Sequence, residues 1–113
     1  MRIGVCVTSP DEYRLVAENG YDYIETRFMS IVGASDEEFE VMKKAQAACG
    51  LKIEACMYYF PGTMKLYAYD PKTGEATEDF AEVEKNVREY SERGFARAAQ
   101  LGLKVAVFGS GGA

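Results

Sequence analysis

The sequence predicts an α/β fold built on a parallel sheet, and three observations carry that prediction. Short runs rich in Val, Ile and Tyr alternate with stretches whose apolar residues recur every three or four positions. Gly20, Gly50 and Gly102 each stand where such a stretch gives way to the next run. Finally, 113 residues with 48% hydrophobic and 27% charged side chains suit one globular domain, residues 1–113, and leave no room for two. The order along the chain is βαβαβαβ, and strands alternating with helices imply parallel pairing through right-handed crossovers.

The first strand is Arg2 to Val7, an apolar run that breaks at Thr8-Ser9-Pro10-Asp11. Ser9 can cap a helix there and Pro10 suits its first turn. That helix runs through Leu15, Val16 and Ala17 to Asn19-Gly20, where glycine can adopt the left-handed terminating conformation. The second strand is Tyr21 to Arg27. Ser35 followed by Glu38 is a capping box, and behind it Phe39, Met42, Ala45 and Cys49 recur at helical spacing until Gly50. Leu51 to Tyr58 is the third strand. It opens into Tyr59 to Thr77, a connection of about 19 residues, which is long for a compact domain and typical of a lid or binding loop. Phe80, Val83, Val87, Tyr90, Gly94, Ala98 and Leu101 then form the stripe of a long amphipathic helix ended by Gly102. Lys104 to Phe108 is the fourth strand, and Gly109 to Ala113 follow it.

Composition closes several function classes. With 13 Lys plus Arg against 18 Asp plus Glu the formal charge is −5, and no basic run could neutralise successive phosphates, so nucleic acid is not an expected partner. The absence of histidine removes the commonest general base, the His-containing triads and every imidazole zinc site. Cys6, Cys49 and Cys56 are odd in number and never spaced C-x-x-C, which points to reduced thiols. Neither a signal peptide nor a run approaching the ~20 apolar residues of a membrane span is visible, and the expected location is the cytoplasm, with no membrane partner.

Four stretches, RIGVCV, AENGYDYIE, IEACMYYFPGTMKLY and RAAQLGLKVAVFGSGGA, touch all four strands, and in their order and spacing the chain resembles the sugar phosphate isomerase/epimerase family. The resemblance implies a xylose-isomerase-like TIM barrel. A (β/α)₈ barrel needs ~250 residues, so four strands and three helices would be its N-terminal half, truncated after strand four. Family members hold a divalent metal (Mg, Mn or Zn) with carboxylates and a histidine drawn mainly from later strands. The expectation is therefore no metal site or cofactor in this chain and no activity of the chain alone, the parent acting on a sugar or sugar phosphate.

Active sites of such barrels sit at the carboxyl ends of the strands, here Val7 to Ser9, Glu25 to Phe28, Met57 to Gly62 and Phe108 to Gly111. Glu25 matches a position where the family places an acid beside the substrate, making it the candidate catalytic residue; a salt bridge with neighbouring Arg27 is the alternative. Arg27, Tyr58, Phe60, Lys65, Phe108 and Ser110 are the candidate substrate-binding residues. The rings of the loop, with Tyr59, Tyr67 and Tyr69, could stack on a sugar and Lys65 could meet a phosphate or carboxylate; packing on the body or on a partner chain is the competing reading. Glu54 lies deeper in its strand, where a role toward the ligand is one reading and a pair with a buried Lys or Arg is the other. Gly109-Ser110-Gly111-Gly112 lets substrate approach the backbone in the resembling family, or is a flexible end. As a Rossmann phosphate cradle it lacks the third glycine at its place and the following helix.

Half a barrel would leave about eight inward apolar side chains uncovered, forgoing roughly 12 to 24 kcal/mol at ~1.5 to 3 kcal/mol each, and two bare strand edges. A two-fold dimer pairing strand four with strand one of its partner, twice, would close eight strands. Three readings follow: half of an isomerase or epimerase, a self-associating α/β assembly module without catalysis, and a small nucleotide- or phosphate-binding domain of Rossmann or flavodoxin type.

Overall fold

A computed structural model describes residues 1–108, so Ser110 and the glycines around it lie outside the described residues. The elements are β1 (Gly4–Cys6), a 3₁₀ turn (Pro10–Glu12) leading into α1 (Tyr13–Glu18), β2 (Tyr23–Arg27), α2 (Phe28–Gly33), α3 (Asp36–Cys49), β3 (Ile53–Met57), α4 (Phe80–Leu101) and β4 (Val105–Ala106). The four strands form one sheet in the order β1-β2-β3-β4, every pair parallel. The fold is thus α/β with an all-parallel sheet, as the alternation of patterns predicts.

The caps act where the sequence places them. Ser35 accepts the amide of Glu38 while the Glu38 carboxylate accepts that of Ser35, and the same reciprocal pair joins Ser9 and Glu12. Gly50 and Gly102 end α3 and α4 at φ 76° and 86°, a left-handed conformation that costs other residues strain. The strands are shorter than the apolar runs, three residues for β1 and two for β4.

One element is absent from the sequence reading. α2 follows β2 without a break and buries Phe28, Ile31 and Val32. Its closing carbonyls are held by Arg97 of α4, whose guanidinium donates to Ile31 O at 2.9 Å and Ala34 O at 2.6 Å and pairs with Asp36 at 2.7 Å. A six-residue helix is too short to persist on its own propensity. It is held by the burial of Phe28, Ile31 and Val32 and by a buried arginine 63 residues away in sequence that closes its C-terminus, neither of which a local pattern announces.

All helices pack on one face of the sheet. Val5, Val7, Ile24 and Ile53 join Tyr13, Val16, Phe39, Met42 and Leu101 in one cluster, and Cys56 and Ala106 join Phe28, Val32, Tyr59, Phe60 and Ala98 in a second. Gly94 lets α4 approach, since a Cβ there would collide with the Phe28 ring and Val32. The molecule measures 53 × 29 × 20 Å, its shortest dimension matching one helix layer on one sheet, and its radius of gyration of 16.2 Å exceeds the ~13 Å of a compact 100-residue domain.

The other face carries the alternate residues, and it is more polar than eight apolar side chains. Gly4 and Cys6 stand in register with Tyr23 and Glu25, then Arg27 with Met57 and Ala55 with Val105. Arg2 and Glu54 lie at the amino end of the same face, and Val105 and Val107 stay about half exposed.

Candidate functional site

β2 sets Glu25 and Arg27 one pleat apart at the carboxyl end of the open face, and β1 places Cys6 directly beside Glu25. Among the described residues the Glu25 carboxylate makes neither a hydrogen bond nor an ion pair, so the salt bridge with Arg27 that the sequence allows is not formed. Burial and then the Glu25 charge push the Cys6 thiol above its ordinary range, with Arg27 pulling the other way. The thiol stays protonated at neutral pH and is a neighbour of the carboxylate rather than a nucleophile.

Arg27 reaches across to the turn after β3 and lies over the Tyr58 ring, 5.3 Å from its centroid. Tyr58 has φ 50°, the one left-handed residue other than glycine among those described. This backbone turn sends Tyr58 outward, about half exposed, and drives the next two rings, Tyr59 and Phe60, into the core. Tyr59 stacks on Phe28 at 4.2 Å, Phe60 meets Tyr59 edge-on at 4.6 Å, and the Tyr90 hydroxyl donates to Tyr59 O at 2.6 Å. Burial raises that hydroxyl to about 12, so it remains a donor.

The aromatic loop therefore divides. Phe60 is spent on packing and Tyr58 is free to meet a ligand. Phe108 is exposed on one side while its ring rests 5.1 Å from Tyr59 and 5.2 Å from Phe60, closing the core at the end of β4. Lys65 is exposed on the loop and, among the described residues, joins no cluster with Glu25 or Arg27. Beyond it the loop is ordered by its own hydrogen bonds: Tyr69 bridges Ala76, and Asp70 accepts from the amides of Lys72, Thr73 and, through its carbonyl, Gly74.

Glu54 sits at the opposite end of the same face and is fully engaged. Arg2 grips it with both terminal nitrogens at 2.7 Å, and Lys104 adds a third contact at 2.9 Å. The side chain is 12% exposed, and these hydrogen bonds from Arg2 and Lys104 hold its carboxyl down at about 2. Arg2 also lies over Tyr23, 5.5 Å from the ring centroid. The pairing is the one the sequence allows, but with two partners, one from each edge of the sheet, and neither is buried, Arg2 and Lys104 both being more than half exposed.

Among the described residues no three of Cys, Asp and Glu converge as a metal cage does. Mg²⁺ or Mn²⁺ takes about six oxygens, and Glu25 with a thiol and an arginine beside it does not fit one. A separate cleft of about 420 Å³ opens on the helix side, between Thr8 and Pro10 and the residues Met29, Ala34, Val41 and Met42. It is apolar, and its acid, Glu38, is already committed to the cap of α3. Compared with family models, with curated proteins and with solved structures, the chain finds no match in any of the three.

Proposed function

We propose that this chain forms the first four strands, with the helices between them, of a xylose-isomerase-like (β/α)₈ barrel and contributes half the substrate mouth of a sugar phosphate isomerase or epimerase, a second copy supplying the other four strands. The observation that carries the reading is the sheet order β1-β2-β3-β4 with every helix on one face. A barrel is wound in that single direction. Doubly wound nucleotide-binding folds reverse their strand order and place helices on both faces, and this sheet has no such switch point among its four strands.

Within that reading Glu25 meets a sugar hydroxyl at the rim, and in the complete enzyme it orients the carbon whose proton is abstracted next to the carbonyl. The divalent metal of the resembling family would need ligands beyond these residues, so no step is drawn through one. Two open edges, β1 and β4, and an open sheet face on which Val105 and Val107 are about half exposed supply the reason for association.

Light scattering on the 113-residue chain tests the barrel: a particle of twice 12.5 kDa supports it, and a stable monomer overturns it. Titration of that particle with a ketopentose, followed by amide shifts, tests the mouth. Shifts gathered at Cys6, Glu25 and Arg27 support the sugar reading. A dimer that ignores the sugar overturns it in favour of an assembly module, which the inward packing of Tyr59 and Phe60 would suit.

A further inference from the structure

We propose that Arg27 and Tyr58 form an oxyanion-binding site at the rim, one that takes the carboxylate or phosphate of a small hydroxylated ligand. The first observation concerns the arginines as a set. Arg2, Arg14, Arg88 and Arg97 each pair with a carboxylate, and Arg93 donates to Ala34 O. Among the described residues Arg27 alone makes no ion pair and no hydrogen bond. In a chain of charge −5, with 18 acids to choose from and Glu25 two positions away, that guanidinium fork is left open.

The second observation is how the fork is held. The Tyr58 ring lies 5.3 Å from the guanidinium carbon. A guanidinium held beside an aromatic ring by cation–π attraction rather than by hydrogen bonds keeps its N–H donors free, and these match the two oxygens of a carboxylate or phosphate. Tyr58 is presented by a left-handed backbone turn at φ 50°, and its carbonyl accepts the Met29 amide at 3.2 Å, tying the turn to the chain just beyond Arg27. Both side chains thus come from anchored positions at the carboxyl ends of adjacent parallel strands, where such sheets bind ligands.

The third observation sets the ligand class. Glu25 lies one pleat below Arg27, roughly 6.6 Å along the strand, and its free carboxylate repels a second anion there while accepting a hydroxyl. An anion at Arg27 with a hydroxyl toward Glu25 describes a hydroxy acid or a phosphorylated polyol. Lys65, the cation that the sequence offers for this role, is exposed on the loop and among the described residues makes no ion pair with Glu25. The site needs only β2, β3 and the turn after β3, so it holds whether or not the isomerase reading does.

The test is a ¹H–¹⁵N titration of the whole chain with inorganic phosphate and, separately, glycolate, at ionic strength fixed with chloride and with ethylene glycol as the neutral control. Saturable shifts of the Arg27 Nε–H and of the Tyr58 and Met29 amides are expected, with no response to ethylene glycol. R27Q weakens binding about tenfold or more, the loss of a charge-assisted pair of hydrogen bonds, R27K restores part of it, and Y58L weakens it less than R27Q. Response to phosphate alone assigns the site to phosphoryl groups, to glycolate alone to carboxylates, and to both to either. Shifts that do not saturate, that persist in a folded R27Q, or that centre on Lys65 overturn the proposal.

Discussion

Glu54 and Glu25 stand on the same face of the same sheet, near the amino end of one strand and the carboxyl end of its neighbour, and their surroundings are opposite. Glu54 is gripped by Arg2 and Lys104 and draws the two edge strands toward the middle of the sheet. Glu25 has an arginine two residues away and leaves it alone, beside a protonated thiol. In (β/α)₈ barrels the amino end of the sheet serves stability and the carboxyl end serves chemistry, and under the proposed function these two carboxylates would divide along that line. A satisfied acid carries structure; an unsatisfied one at the rim is available to a ligand.

The most severe way to break this comparison is to remove the support both ends share. Gly94→Val would drive side-chain atoms into Phe28 and Val32, behind β2 and β3. A loss of about 3 kcal/mol is expected from such overpacking, read from the urea midpoint, with the Glu54 cluster and the rim failing together. If only the rim signals move, the two ends are less tied to one core than the packing implies.

Next in size is E54Q, which should lower Tm at pH 7 by several degrees and abolish part of the acid sensitivity. The folded carboxyl titrates at about 2 against an ordinary 4.5, so its contribution is fully present above pH 4.5 and is lost as pH falls toward 2. The mutant's Tm-versus-pH curve should therefore be flatter across that window. Added salt should weaken the wild-type contribution, because Arg2 and Lys104 are more than half exposed. Equal acid curves for both proteins would remove Glu54 from the stability side of the comparison.

E25Q should change stability by no more than about 0.5 kcal/mol, the range of a surface substitution without partners, while abolishing the response to a ketopentose. A large destabilisation would mean that Glu25 has a structural partner after all. The smallest expected effect is on Cys6. Removing the Glu25 charge relieves one of the three influences that raise its pKa, beside burial and the Glu12 charge, so E25Q should alkylate modestly faster at Cys6 than wild type by peptide mass mapping, and R27Q modestly slower. No change in either would separate the thiol from the pair.

Much of the fold is legible along the chain because its signals are local. The cap at Ser9, the capping box at Ser35, the terminating Gly50 and Gly102, and the stripe from Val83 to Leu101 are patterns of near neighbours, and each settles where the pattern puts it. Phe80, at the start of that stripe, is the exception and points to solvent, 71% exposed. α2 is the larger omission. Phe28, Ile31 and Val32 have the right spacing, but so short a helix needs the core they enter and the Arg97 guanidinium on its last carbonyls. The site is less legible than the fold. Nothing local tells that Tyr58 turns out while Tyr59 and Phe60 turn in, or that Arg27 prefers a ring to the carboxylate beside it.

By itself the sequence determined the α/β alternation, the places where helices begin and end, and the acidic, histidine-free chemistry, because periodicity, capping and composition act within a few residues of chain. Only the tertiary structure decided that the strands lie in the order β1-β2-β3-β4 with helices on one side, that Glu54 is tied and Glu25 is free, and that Arg27 meets Tyr58. Those outcomes depend on partners far apart in sequence, such as Arg2 with Glu54, 52 positions away, and Arg27 with Tyr58 on the next strand's turn. Which of several chemically equivalent partners a charge or ring takes is settled by packing, not by the chain's local preferences.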